Sequence, residues 1–489
     1  MLGASTVDLR SRMSCAVFVS DSAAVECIEV HRDPTVPFLV SATMKATSFL
    51  SAVLLLVTAC DRGVAPGGRH TVVDSAGIRI TSSTVPVWGD SAWWRVSPAP
   101  ELEIGAADAG PPEYLFSNAH SAMRLSDGRI AVGDMGSAEL RYYDAQGRFL
   151  MRRGREGQGP GEWDQLYQMR RGGGDSIQII APVNTHSIFS PAGEYIRRFS
   201  LDPVTNRPNI WALGRLSSGA MLAFSLAAAG DRVVVSRESA RGEEGTLGRD
   251  TTTRPTGFYR EQYMHFLYTA EGRVIDSIGI LPGRGAYGGV GQGALLTRGY
   301  YALQGDSLFF GPGDAPEIRV YELWVADGAT NGLAVGTPES SRPRAGMTLR
   351  RIVRRVSSDS GLVTPEIMEA YKSQERATMT RRFRNAAPGF NVERNIAMIR
   401  FPPRLPAHGR IIADPTGALW MQDYVLPGAE DSATRWTVFD ADGRWLGRME
   451  LPARLQVSDI GSDYVLGIWR NEDDVQFIRR YRLEREGAR

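Results

Sequence analysis

The chain has 489 residues, 56 Lys and Arg against 55 Asp and Glu, and a formal net charge of +1. Charge this evenly balanced excludes the sustained basic field that nucleic-acid binding draws on. The three cysteines, Cys15, Cys27 and Cys60, all precede residue 61, so the long remainder carries no disulfide, thiolate metal site or cysteine nucleophile.

Residues 1–43 show no sustained hydrophobic period. They are expected to be disordered, as an over-extended gene start would be, with Met44 as initiator. From Met44 the pattern changes: Lys45 supplies a positive start and Phe49 to Val57 an apolar run. That run is well short of the ~20 residues a bilayer-spanning helix needs. Val57-Thr58-Ala59-Cys60 resembles the lipobox of bacterial lipoproteins. The resemblance implies a signal peptide over 44–59, a diacylglycerol thioether on Cys60 and membrane anchoring in the bacterial cell envelope, on the periplasmic or outer-surface side. Two or three acyl chains anchor stably where one is marginal. An ordinary secretory signal, with Cys60 coincidental, is the competing reading. Residues 60–69 read as a linker.

Beyond the linker the chain reads as strands and turns. His70 to Ile80 is a hairpin pattern around Ala76-Gly77, and Trp93 to Ile104 continues it. One motif then recurs: aromatic-(Asp/Ser/Thr)-x-x-Gly, at Tyr143 to Gly147, Phe189 to Gly193, Tyr268 to Gly272 and Phe439 to Gly443. Each copy reads as a tight turn between antiparallel strands, with Gly at a positive-φ position. Repeated hairpins at roughly 40–50-residue spacing mark a β-propeller. Six unit starts can be counted, near Arg129, Ser176, Gly219, Asp306, Gly417 and Asp463. In the first unit Arg129 to Gly133 is read as the inner strand. Residues 237–256 read as a long polar loop. Extended segments between 70 and 105 are expected to complete the last blade beside residues 454–485, which removes a free sheet edge.

The helical exception is an insertion at about 335–395 between the fourth and fifth blades. Thr364-Pro365-Glu366 has the N-cap, the first-turn proline and the acid of a helix start, and Pro388-Gly389 stops it. Leu349 to Val356 is ambiguous: its apolar spacing suits a helix, its β-branched content a strand. Taken together, residues 70–489 predict an all-β, six-bladed β-propeller with a helical insertion and an N-terminal lipoprotein signal.

Three stretches carry a further resemblance: Leu125 to Ile130, Tyr143 to Arg148 and Gly154 to Trp163, with an echo at Asp414 to Trp420. The chain resembles the bacterial six-bladed propeller proteins related to NHL-repeat propellers. That resemblance tips Leu349 to Val356 toward a strand. It is informative about fold and poor in activity.

Catalytic and ligand patterns are sparse. The Gly154 to Gly161 loop lacks the Gly-Lys-Ser/Thr of a phosphate cradle and reads as a connection between blades. Asp440-x-Asp442-Gly443 is followed by Arg444 and Leu451 where a calcium loop needs oxygen ligands, so it reads as a hairpin turn. Asn471 to Asp474 reads as a solvated turn. No Gly-x-Ser-x-Gly elbow or Ser-x-x-Lys is present. The ligand-binding candidates are His120 and Asp134, which flank the first predicted inner strand, Asp423 at the matching place in the fifth, and Arg350 and Arg351 in the arginine-rich insertion. Two function classes follow. One is an anchored binding module for a peptide, glycan or protein partner, needing no cofactor and engaging no nucleic acid. The other, implied by the NHL likeness, is a metal-dependent hydrolase or lyase with calcium or zinc in the propeller channel, on His120, Asp134 and Asp423.

Overall fold

The structure is a computed structural model. It describes the backbone at residues 5–8, 14–19 and 25–29, and the chain from 70 to 485 except 90–91, 108–109, 158, 164, 182–183, 205–209, 228–254, 330–342, 357–360, 384–390 and 430–431. The lipobox, Cys60 and the polar loop after residue 237 lie outside the described residues. The chain divides into two units, Met1–Gly68 and Arg69–Arg489. In the first, Ser5–Asp8, Ser14–Val19 and Val25–Glu29 pair as an antiparallel sheet, where the sequence pattern suggested no ordered structure.

The second unit is a six-bladed β-propeller. Blade 1 comprises Ala119–Arg124, Ile130–Asp134, Glu139–Tyr143 and Phe149–Arg153; blade 2 comprises Gln168–Arg171, Ile177–Ala181, Thr185–Phe189 and Tyr195–Ser200. Blade 3 has Ile210–Arg215, Met221–Leu226 and two long strands, Gly257–Tyr268 and Val274–Gly288. Blade 4 has Tyr300–Gln304, Ser307–Gly311, Glu317–Val325 and Ala345–Arg355, and blade 5 has Ile411–Ala413, Leu419–Gln422, Thr434–Phe439 and Trp445–Leu451. Blade 6 has Leu455–Ile460, Tyr464–Arg470 and Gln476–Arg485. Each blade's first strand lies innermost: Ala119–Arg124 touches the first strands of blades 2 and 6, and Tyr300–Gln304 those of blades 3 and 5. The strand after Arg129 is therefore second from the axis, one place further out than the sequence suggested.

Alternating strands have two buried faces here, and each face packs on the next blade. Six apolar clusters result, one per interface. Leu140, Trp163 and Ile179 lie between blades 1 and 2, and Ile210, Met221 and Phe266 meet Ile180 between 2 and 3. Leu222, Phe310 and Leu323 join 3 to 4, and Ile318, Val353 and Leu419 join 4 to 5. Trp420, Trp436 and Val465 join 5 to 6, and Ile130, Ile104 and Ile478 join 6 to 1. With no interface left open, the ring is closed.

The recurrent turn is explained by one acceptor. Asp144 Oδ1 accepts from the N–H groups of Gln146 (3.0 Å) and Arg148 (2.9 Å), and Asp440 Oδ1 from those of Asp442 (3.0 Å) and Arg444 (2.8 Å). Thr269 Oγ1 and Ser190 Oγ serve the same way. The glycine has φ of 80–89° in all four copies, a region that costs a side chain energy. Asp440 is therefore committed to its turn. Asn471 Oδ1 caps a related turn by accepting from Asp473 and Val475 N–H. At Gly154 (φ +79°) the reason for glycine is space: an added Cβ would sit 2.1 Å from the Trp163 ring, the indole that fills the interface between blades 1 and 2. The glycine-rich loop is thus a packing connection.

Leu349 to Arg355 is resolved as strand, within Ala345–Arg355, the fourth strand of blade 4, and Val356 follows its end. The helical insertion follows it. Helix Pro365–Arg382 is capped by Thr364, whose Oγ1 accepts from Ile367 N–H at 3.4 Å, and Val392–Ala397 is a second short helix. Ile367, Tyr371 and Met379 pack with Phe401 and Leu405 around buried Leu295 and Ile399. This is a small core of its own.

The amino-terminal strands divide between two blades. Trp94–Val96 and Leu102–Ile104 pair with Gln476–Arg485 and complete blade 6. The hairpin His70–Ser75/Ile78–Ser83 does not join them, contrary to the sequence expectation. Ile78–Ser83 runs parallel to Ala345–Arg355 at the rim of blade 4. Its buried Thr81 and Ser83 bond to blade 5, through Thr81 Oγ1 to Asp442 O (3.3 Å) and Trp445 N to Ser83 Oγ (3.1 Å). Ring closure at blade 6 is locked by Arg485. Its guanidinium lies 4.4 Å from the Trp94 ring centre and donates to Asp414 Oδ2 (2.7 Å), Thr416 Oγ1 (2.7 Å) and Gly461 O (2.8 Å). Asp414 is fully buried, and a buried carboxylate stripped of its partner is costly. Arg485→Met should lower unfolding stability by about 3 kcal/mol in urea titration; an unchanged midpoint would show that the lock does not hold the ring.

Candidate functional site

In each blade the first strand starts on the face that also carries the blade-to-blade connections and the second-to-third-strand turns. We call this the mouth face. The helical insertion leaves blade 4 and rejoins blade 5 on this side, and the long strands Gly257–Tyr268 and Val274–Gly288 extend beyond blade 3 on it.

The first-strand registers can be aligned from the turn that ends each strand. The reference residues are Leu125, Gly172, Leu216, Gln304, Asp414 and Gly461, which close those turns. Counting four residues back, or five where a bulge intervenes, gives Ser121 (with the unpaired bulge residue His120 beside it), Gln168, Trp211, Tyr300, Arg410 and Gln456. These six form one layer at the mouth of the channel, one from each blade. Electrostatics agree with the alignment. Burial, then Arg410 and Arg170, push the His120 imidazole below its usual pKa. Arg170, two residues deeper on blade 2, is held below its ordinary value by burial and then by Arg410. Arg410 is likewise lowered by burial. Tyr300 is raised by burial, against the pull of Arg298 and Arg410. The mouth thus gathers positive charge with no carboxylate among the charges acting on His120, Arg170 or Arg410.

Trp211 adds an apolar surface. It is 41% exposed and stacks on Phe224 at 5.4 Å, which stacks on Tyr263 at 4.9 Å. From Arg410 and Gln456 a cavity of about 410 Å³ runs outward between blades 5 and 6, past Trp436, Arg454, Arg470 and Asn471.

Of the residues singled out by sequence, only His120 lies at this layer, as the bulge residue beside Ser121. Asp134 is fully buried. Its carboxylate accepts from the N–H groups of Ser117 (3.1 Å), Asn118 (2.8 Å) and Gly136 (3.1 Å) and faces Arg141 at 3.5 Å, so it clips the entrance of blade 1. Asp423 accepts from Thr437 Oγ1 (3.2 Å) and faces Arg448 (3.6 Å). It lines a separate cavity of about 450 Å³ beside the insertion, with Arg355, Arg404 and Arg435. His120, Asp134 and Asp423 therefore do not converge. Arg350 pairs with Glu322 at 2.7 Å, and Arg351 donates to the Ala441 carbonyl of blade 5; both sit on the fourth strand of blade 4, away from the channel. Arg170, Arg410 and Trp211 were missed. Counting back from Asp414 would have flagged Arg410, but only with the first strands correctly placed. The two guanidiniums at the mouth repel a calcium or zinc ion, and neither side chain can ligate one. Among the described residues no group of three or more His, Cys, Asp or Glu is placed to hold a metal ion.

The other histidines serve the blades. His408 Nδ1 donates to Gly409 O (2.7 Å), leaving Nε2 to accept from Gly313 N–H (3.0 Å). His186 lies 2.7 Å from Gln178 Nε2 and stacks on Phe199 at 5.1 Å. His265 Nδ1 donates to Tyr263 O at 3.0 Å.

No family model matches the chain, and no curated protein matches it. Several solved structures are similar to this chain at low identity. A protein of Bacteroides fragilis described as exported is 12% identical, covering 83% of this chain and 99% of its own, with a TM-score of 0.41. A Bacteroides vulgatus member of a family of unknown function is 11% identical over 80% of this chain and 98% of its own, TM-score 0.42. Regucalcin of Agrobacterium tumefaciens, a calcium-binding protein, is 12% identical over 76% and 92%, TM-score 0.34.

His186 and His265 generate an acid-stability prediction. Burial lowers both to about 4, in His186 with help from Arg215, while an unfolded chain titrates near 6.5. The folded form therefore binds fewer protons, and stability present above pH 6.5 is lost as the pH falls toward 4. Between pH 7 and pH 5 the loss should be about 2 kcal/mol per histidine. Urea midpoints at the two pH values should differ less in His186→Asn than in the parent; equal differences would refute the assignment.

Proposed function

We propose that this chain is a lipid-anchored propeller of the bacterial cell envelope that binds a peptide, glycan or protein partner at its mouth face. The observation that carries this reading is the layer of Ser121, Gln168, Trp211, Tyr300, Arg410 and Gln456, brought to one level of the channel by the registers of six blades, with His120 on the bulge beside it. A rigid scaffold with convergent polar groups and one aromatic face is the composition of a ligand site. No nucleophile–base pair accompanies it in the sequence, which favours binding over turnover. No specific observation favours the metal-dependent hydrolase or lyase alternative.

The anchor rests on the lipobox ending at Cys60. Among the described residues no helix is long and apolar enough to cross a membrane, which is compatible with a tether through acyl chains.

Two measurements test the reading. A photo-crosslinking residue at Tyr167 or Gln456 should capture envelope material in intact cells, and the same residue at Asp127, on the opposite face, should not. Capture at Asp127 alone would reverse the choice of face. Cys60→Ser should move the protein from the membrane to the soluble fraction; unchanged partitioning would remove the acyl tether.

A further inference from the structure

We infer that the mouth takes a carboxylate-bearing saccharide, its acid group seated between Arg170, Arg410 and His120 and a sugar ring lying on Trp211. This inference rests on the mouth-face reading and names its ligand class.

The charge argument comes first. A guanidinium has five N–H donors and no acceptor. Arg410 spends one on Val457 O at 2.8 Å, and Arg170 spends one on Gln168 Oε1 at 3.3 Å. Arg170 Nε is buried without a hydrogen-bond partner. Most of the donor capacity of the two side chains is therefore uncommitted. Neither forms an ion pair among the described residues, whereas Arg485, Arg141 and Arg479 elsewhere in the ring each have one. Two such cations at one mouth repel each other, and a bound anion relieves that repulsion while gaining charge-assisted hydrogen bonds. The fork geometry of arginine matches a planar carboxylate.

The aromatic argument is independent. Trp211 occupies the same layer on blade 3 and is backed by Phe224 and Tyr263 in near-parallel stacks of 26° and 17°. It is exposed yet immobilised from behind, so it presents a fixed apolar face at little entropic cost. The C–H face of a pyranose is flat and weakly apolar, and its hydroxyls need donors and acceptors at the edge. Gln168, Gln456 and the Tyr300 hydroxyl supply both. An acidic peptide would use the arginines as well, but it does not call for a bare, rigid indole beside amides.

The test is calorimetric titration of the full chain in detergent with three probes: a galacturonic acid tetramer, a neutral galactose tetramer and a glutamate tetrapeptide. The acidic sugar should bind, and added salt should weaken it. Arg410→Gln, Arg170→Gln and Trp211→Ala should each weaken it by about tenfold, with urea midpoints close to the parent. Arg410→Lys, which keeps the charge and loses the fork, controls for loss of folding and should bind between the parent and Arg410→Gln. Equal binding of the neutral tetramer overturns the acidic requirement. Binding of the peptide without the sugar, or indifference to Trp211→Ala, overturns the saccharide. Binding of none of the three overturns the inference outright. In each of these cases the mouth-face reading stands or falls separately, on whether crosslinks form at Tyr167 and Gln456.

Discussion

The structure depends on one constraint: every blade has two apolar faces, and each must be covered by a neighbour. Ile130 and Ile478, or Leu222 and Phe310, are buried only because the next sheet lies against them. A linear stack of such sheets would expose a full apolar face at each end. Six clusters at six interfaces satisfy the requirement, so closure is a condition of burial as well as of edge pairing. The seam is built to match. Trp88, Trp94 and Trp420 form a tilted aromatic row with ring separations of 5.4 and 5.8 Å, and Arg485 bridges it to the buried Asp414.

The channel mouth inherits its geometry from this closure. Because each first strand is held at the same radius, one residue per blade arrives at the same level. Bulges in blades 1, 3 and 6 each add a residue to the innermost strand, and bulges commonly re-aim side chains beside functional sites. His120 is the extra residue of the first bulge, opposite no partner between Ala119 and Ser121.

Much of the fold was legible because its signals are local. Asp144 and Asp440 cap their own turns, with glycine at a fixed offset, and Thr364-Pro365-Glu366 starts its helix through bonds to its own backbone. The failures were non-local. The polar-alternating hairpin His70–Ser83 can add to any exposed outer strand. Only the buried hydroxyls Thr81 and Ser83, meeting blade 5 across more than 350 residues, select the rim of blade 4. The site was less legible still. Asp134 and Asp423 are the acidic, eye-catching residues, yet both are bound to nearby backbone or side-chain groups. Arg410 and Arg170 are inconspicuous in a chain whose cations are almost all arginine, and their significance comes from meeting across the axis.

The seam has a consequence for how such a chain is made. Val96 pairs with Leu483, so the opening strands of the propeller wait for its closing strand before they find their partner, and Ile80 likewise waits for Ile352. Contacts this distant along the chain make for slow assembly.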